Sequence, residues 1–327
     1  MRHEHAHCLR VVKSESTLPV VLPPRVDVAD PCPCGRDRRA GECCAPDGVV
    51  RPRPLVAKSG TAPDRPVPGC YAATLGDCGG GISSEHFISG TLLALLASRS
   101  AGRGIFVRGP AWRDGKWLSL KALVSKVLCR HHNEALSVFD GAMARLGRQV
   151  LRLGDELNAQ DPTPWLFAIH GRDVERWLLK VLCGAVAGGH AARASGEPVP
   201  REVPDRWVRI LFGQQEMPPS WGLYLHGTVG GQALRPGATE INVAPISVNG
   251  KSVGVEVDVF GWKLLLATTL VQPARARGAI SPDSLYRPTL VQVPTPLGAK
   301  RIYFHWEPGD RDGPLLDYGP VATIIRP

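Results

Sequence analysis

No apolar run reaches the roughly 18 residues that a membrane-crossing helix needs, so no membrane span or membrane partner is expected. The first 30 residues lack the apolar centre of a secretory leader, because TLPVVLPP is short and broken by prolines. A cytoplasmic location is therefore expected. Without an oxidising compartment, the nine cysteines of the chain are not expected to form disulfides, and metal binding becomes the reading. The second half also lacks net charge: residues 153–327 hold 17 Lys/Arg and 17 Asp/Glu. What is present is a chain of 327 residues, 43% hydrophobic, long enough for two or three compact units with a sizeable core.

The net charge of +9 sits in one place. Residues 99–152 carry 11 Lys/Arg against 3 Asp/Glu, whereas residues 67–98 carry only Asp77 and Glu85. A local basic field of this kind suits a polyanion such as nucleic acid, with DNA favoured over RNA. A solvated basic surface kept for solubility fits the charge equally well. Arg99, Arg103, Arg108, Arg113, Lys116, Lys121 and Lys126 punctuate the segment and are the candidate phosphate contacts. Trp112 and Trp117 lie among them. Trp117 opens the apolar stretch WLSL and is expected in the core.

Most cysteines fall into two clusters. Residues 32–44 read CPCGRDRRAGECC, in which Cys32, Cys34, Cys43 and Cys44 can wrap one zinc ion without a long loop. So small a unit has almost no core, so its folding depends on the metal. The spacing and the CPCG opening resemble the SEC-C motif, a zinc module found on many bacterial proteins. That resemblance implies a structural zinc and, possible through the same motif, a protein partner. The usual lysines are replaced here by Arg36, Asp37, Arg38 and Arg39. His3, His5 and His7 ahead of Cys8 read as part of an incidental flexible start.

The second cluster spans residues 70–133. Cys70 and Cys78 flank CYAATLGDC, Glu85 precedes His86, and VLCRHHN places Cys129, His132 and Asn133 together. Two pairs of soft ligands around an acid–histidine step point to a zinc knuckle beside a polar site. This stretch resembles the HNH, or ββα-metal, endonuclease family. The resemblance implies that Cys70, Cys78, Cys129 and His132 (or His131) hold a second structural zinc. It further implies that Glu85 and Asn133 hold Mg²⁺ or another divalent cation and that His86 is the general base of phosphodiester hydrolysis. The chain departs from the family in having seven residues between Cys70 and Cys78, and in having no Asn or His between His86 and Cys129. Two functions follow as expectations: a metal-dependent HNH-like endonuclease, or a non-catalytic zinc-stabilised module that binds nucleic acid or protein.

The expected fold class is α+β: the small SEC-C-like motif, an HNH-like ββα or treble-clef zinc domain, and a C-terminal helix with an antiparallel sheet. The expected division is a flexible tail at 1–30, the zinc motif at 31–45, a Pro-rich linker at 46–68, the zinc domain at 69–153 and an α+β domain at 154–327. Strands are expected at ISSEHFIS, GIFVRG and KWLSL, and short helices at 91–98 and 120–128. Asn133 is placed at the N-cap of a helix in which Leu136, Phe139, Met143, Leu146 and Val150 share one face. A second helix is expected over 172–188, carrying Cys183 as a buried thiol. Strands are expected from WVRILFG through RIYFHWE, with VNGKS as a hairpin and Glu240, Glu256 and Asp258 on a solvated sheet face. The last 19 residues are expected to trail.

Overall fold

The structure is a computed structural model, and it describes residues 10–13, 22–57, 66–100, 102–109, 112–190, 200–218, 221–225, 240–248, 251–269, 284–307 and 321–325. The histidine-rich start, His3 to Cys8, lies outside the described residues. In chain order the elements begin with β1 (Arg10–Lys13), β2 (Ile82–His86), α1 (Gly90–Ser98), β3 (Ile105–Gly109), β4 (Trp112–Leu118), β5 (Val124–Cys129) and α2 (Arg130–Asn158). They continue with β6 (Trp165–His170), α3 (Gly171–Ala187), α4 (Asp205–Leu211), β7 (Gly222–Leu225), β8 (Glu240–Val248) and β9 (Lys251–Val259). The last are β10 (Trp262–Ala267), β11 (Leu285–Tyr286), β12 (Leu290–Thr295), β13 (Gly298–His305) and β14 (Val321–Ile325). The fold is mixed α+β, and no described helix is long and apolar enough to cross a membrane.

Three sheets organise it. The largest runs β11-β7-β10-β9-β8-β3-β4, the second β1-β14-β12-β13-β6, and the third is the pair β2-β5. In the largest sheet, alternation separates two faces. Ile105, Val107, Ile241, Val243, Val255, Val257, Val259, Leu264 and Leu266 are buried in the main core, while Glu256 and Asp258 lie half-buried on the other face. α3 sits at the centre of that core, with Val174, Trp177, Leu178, Val181, Leu182 and Cys183 all fully buried. α2 buries the expected stripe of Leu136, Phe139, Met143, Leu146 and Val150. Gly147 lets this stripe approach its neighbours closely: a Cβ there would lie 2.6 Å from the Phe260 ring and 2.9 Å from Leu92.

Several local expectations change. Residues 120–128 are not a helix: Leu120–Leu123 form a single 3-10 turn, and β5 follows, paired antiparallel to β2. A short apolar run is ambiguous between helix and strand, and the partner strand decides it. WVRILFG is helical as α4, where Trp207, Val208, Ile210 and Leu211 are buried and Asp205 occupies the first turn. Asn133 is not the N-cap of α2; Cys129 is, four residues earlier, its Sγ accepting the His132 N–H at 3.5 Å. Trp117 is 39% exposed rather than core, because it belongs to β4, the edge strand of the large sheet. Strand β6 was not anticipated; it pairs parallel to β13, a partner 135 residues away when Trp165 is matched with Lys300.

The chain also ties its segments together. β3 pairs parallel to β8, matching Phe106 with Glu240 and Arg108 with Asn242, so the large sheet crosses the boundary expected at 153, as does α2. β1 and β14, in the stretches expected to be loose ends, pair antiparallel with each other, and β14 pairs parallel to β12. β8 and β9 pair on either side of Asn249-Gly250, up to Val248 opposite Lys251, although those two turn residues lie outside the described set.

Candidate metal centres and basic edge

The knuckle is built where β5 runs into α2. Cys129 closes the strand and caps the helix, and His132 lies one turn in. The segment carrying Cys70 and Cys78 is held alongside by Tyr71 N–H donating to Val127 O at 2.9 Å. His131 N–H likewise donates to Gly79 O at 3.1 Å. The result brings Nδ1 of His132 to 3.4 Å from Cys70 Sγ, 3.7 Å from Cys78 Sγ and 3.2 Å from Cys129 Sγ. Bond lengths of about 2.3 Å to sulfur and about 2.0–2.1 Å to nitrogen separate tetrahedral S and N ligands by about 3.6 Å. All four ligand atoms lie within 4.8 Å of one another, and all four residues are buried. The donor set fits zinc.

Asp77 completes this centre. His132 Nε2–H donates to Asp77 Oδ1 at 2.7 Å, which assigns the tautomer and leaves the Nδ1 lone pair facing the three sulfurs. Burial holds the His132 pKa below its ordinary value, so the ring stays neutral and ready to ligate. His131 Nε2 stands 3.7 Å from the other Asp77 oxygen, so it joins the outer carboxylate rather than the sulfur cluster. Sequence reading passed over Asp77; its signal was an acid directly before Cys78.

The four-cysteine bead packs on β6. Ala168 N–H donates to Pro33 O at 2.9 Å, and Ala168 and Tyr303 share a small core with Cys32, Cys34 and Cys44. This also covers the outer edge of β6. Gly35, at φ +70°, makes the turn after the first pair. Cys32 Sγ is 3.1 Å from Cys34 Sγ and 2.9 Å from Cys44 Sγ, and Cys34 Sγ is 3.5 Å from Cys43 Sγ. Four thiols so close cannot ionise together without a cation. Bonding with Cys44 pulls the Cys34 thiol down to about 4, while the same contact drives Cys44 far up and burial raises Cys43 to about 12. Four soft ligands in a closed cluster also fit zinc.

Glu85 and His86 diverge. Glu85 is 1% exposed and faces Lys180 on α3, with Oε1 3.4 Å from Nζ. Lys180 is equally buried and makes its close contact, 2.7 Å, with Asp140 Oδ2 on α2. Burial pushes the Glu85 carboxyl up to about 7, outweighing the Lys180 charge. His86 is half-buried, and its Nε2 lies 3.2 Å from Leu120 O in the 3-10 turn. Asn133 is half-buried in the first turn of α2. Lys180, which the sequence reading did not single out, thus supplies the positive charge beside Glu85.

The basic residues sort by partner. Arg99 is engaged by Asp155, at 2.8 and 2.6 Å. Arg108 lies 3.5 Å from Glu240 and stacks over Phe106, its guanidinium 5.3 Å from the ring centre. Arg103 stacks over Trp117 at 5.1 Å, and the Phe106 and Trp117 rings are 5.4 Å apart. These form a cation–aromatic ladder, Arg103–Trp117–Phe106–Arg108, on the β3–β4 hairpin. Gly115, at φ +72°, makes room for it, since a Cβ there would sit 2.3 Å from the Phe106 ring. Lys116, Lys121 and Lys126 are exposed and enter no ion pair among the described residues; the Arg113 side chain lies outside them.

One further cluster brings His170, His305 and Glu307 together. His170 Nδ1 accepts the Arg172 N–H at 3.2 Å, so the proton sits on Nε2, 3.6 Å from Glu307 Oε1. That tautomer suits an N-cap and a carboxylate contact rather than a metal ligand. Comparison of the chain with protein-family models, curated proteins and solved structures finds no match.

Proposed function

We propose that this protein is a zinc-scaffolded module that binds single-stranded nucleic acid, DNA in the first instance, along the β3–β4 edge. The observation that carries this reading is the ladder of Arg103, Trp117, Phe106 and Arg108 on an exposed edge hairpin. Aromatic faces stack unpaired bases with little regard to sequence, and neighbouring cations hold the backbone. Lys116 and Lys121 supply uncommitted positive charge from the same β4 strand and the turn that follows. The two zinc centres are structural in this reading, each with four protein ligands and no open position. They hold the β2–β5 pair and the bead against the core, and the bead remains the candidate surface for a protein partner. The reduced thiols suit the cytoplasm.

The geometry favours binding over hydrolysis. An HNH-like cut would need Glu85 and Asn133 to share a divalent cation while His86 activates water. Glu85 instead sits in the dry interior beside an ammonium, and His86 points to the other side of β2. The test is fluorescence anisotropy with a labelled single-stranded oligonucleotide, together with a nicking assay in Mg²⁺, Mn²⁺ or Ni²⁺. Binding is expected to weaken with salt at a log–log slope of about −0.7 per phosphate neutralised. Salt-insensitive or absent binding overturns the reading, and metal-dependent cleavage that is lost in His86→Ala replaces it with the nuclease.

A further inference from the structure

One carboxylate lies inside the basic edge. β3 pairs parallel to β8, and the register sets Glu240 opposite Phe106 and Asn242 opposite Arg108. Ile105, Val107, Ile241 and Val243 point into the core, so Phe106, Arg108, Glu240 and Asn242 share the other face of the sheet. Arg108 Nε is 3.5 Å from Glu240 Oε2, with the two side chains 57% and 45% exposed. The Arg108 guanidinium also lies over the Phe106 ring, 5.3 Å from its centre. The ion pair engages one nitrogen and one oxygen. Both Nη groups of Arg108 and Oε1 of Glu240 enter no hydrogen bond or ion pair among the described residues. Asn242 is neutral, so Glu240 is the one carboxylate that Arg108 meets among them.

An exposed ion pair this loose contributes little to stability. On an edge that holds phosphates its carboxylate is also unfavourable, since it repels the polyanion that Arg103 and Arg108 attract. A base, unlike a phosphate, has a use for both charges. We propose that Arg108 and Glu240 together read guanine, so that the β3–β4 edge selects strands with a guanine at the position that meets Phe106. This rests on the single-strand reading above and names the base that it favours. Guanine presents two acceptors, N7 and O6, to an arginine fork, and beside them two donors, its ring N–H and its amino group, to a carboxylate. No other base of DNA offers both pairs. Adenine and cytosine set a ring-nitrogen acceptor beside their amino group, which repels the second carboxylate oxygen. Thymine sets one N–H between two carbonyl oxygens. Phe106 restrains the Arg108 fork before the base arrives, which lowers the ordering entropy lost on binding.

The experiment uses the full zinc-loaded chain and fluorescence anisotropy with a labelled short oligo(dT) strand whose central position is dT, dG, dA or dC. The dG strand is expected to bind roughly tenfold more tightly than the other three, toward the lower end for a bidentate base contact because the pair is solvent-exposed. The dA strand controls for the stronger stacking of a purine. Replacing the guanine by 7-deazaguanine, which lacks the N7 acceptor, or by hypoxanthine, which lacks the amino donor, is expected to remove several-fold of the preference. Glu240→Gln is expected to bring the dG and dT strands within about twofold of each other with zinc content unchanged, because the amide offers one acceptor where the carboxylate offers two. Glu240→Asp, which keeps the carboxylate, is expected to retain part of the preference. Strands that all bind within about twofold, a dA strand as tight as the dG strand, or a dG preference that survives Glu240→Gln each overturn the guanine site and leave the single-strand reading standing. If no strand binds at all, the single-strand reading fails and the guanine site fails with it.

Discussion

Replacing Asp77 by alanine tests the knuckle at a residue that never touches the metal. Its carboxylate takes the His132 Nε2 proton at 2.7 Å, and with it the ring's orientation and basicity toward the three sulfurs. Loss of such an outer carboxylate weakens metal affinity by about 10- to 100-fold, or about 1.4–2.7 kcal/mol. Two features place the effect toward the lower end. Asp77 is 26% exposed, so water can replace part of the hydrogen bond. His132 is also gripped from the other side, its ring edge against Phe212 at 5.1 Å between centres. About tenfold is expected for Asp77→Ala and less for Asp77→Asn, whose amide oxygen can still accept. The assay is competition with a chromophoric chelator at pH 7, counting zinc released from each site. The variant should lose one zinc early and keep the other, because among the described residues no carboxylate hydrogen-bonds to the four cysteines of the bead. Affinity within twofold of the parent, or equal weakening of both sites, would refute the role given to Asp77.

Other perturbations read other parts of the structure. Lys180→Met leaves the buried Glu85 and the half-buried Asp140 without their cation and is expected to cost about 3 kcal/mol in urea unfolding, the lower end for a broken buried pair; a loss under about 1 kcal/mol would show that Lys180 does not serve as their cation. Glu85 is held near 7 in the folded chain against an ordinary 4.5, so the native state binds its proton more tightly than the unfolded chain does. Stability should therefore fall by about 3 kcal/mol as pH rises from about 4.5 to about 7. Glu85→Gln should remove that share of the slope and leave a similar one from Asp173, which burial also raises to about 7; an unchanged slope in the variant counts against the assignment. Trp117→Ala should weaken binding of a single-stranded oligonucleotide by roughly tenfold or more, in line with about 1–3 kcal/mol per stacked base, with zinc content unchanged. Gly115→Ala should weaken it too, by driving a methyl group into the Phe106 ring, and equal affinity in anisotropy would argue against the ladder.

What sequence alone determined was whatever depends on residues near one another in the chain. The four bead cysteines lie within 13 residues, so their convergence needed only a turn at Gly35. The apolar stripe of α2 follows from a 3.6-residue period, and Cys129 and His132 meet because three residues make about one helical turn. The α+β class and the alternating valines of β9 were legible for the same reason. Tertiary structure decided whatever depends on partners far away. Residues 120–128 and 207–213 suit either helix or strand, and β2 and the main core settled each one differently. β6 is a strand because β13 pairs with it, and β3–β4 joins a sheet formed largely after residue 222. The same holds at the polar site. Adjacency of Glu85 and His86 suggested a joint role, but consecutive residues of a strand face opposite ways. Which side Glu85 faced, and that Lys180, 95 positions on, would be waiting there, followed only from packing α3 across β2 and α2.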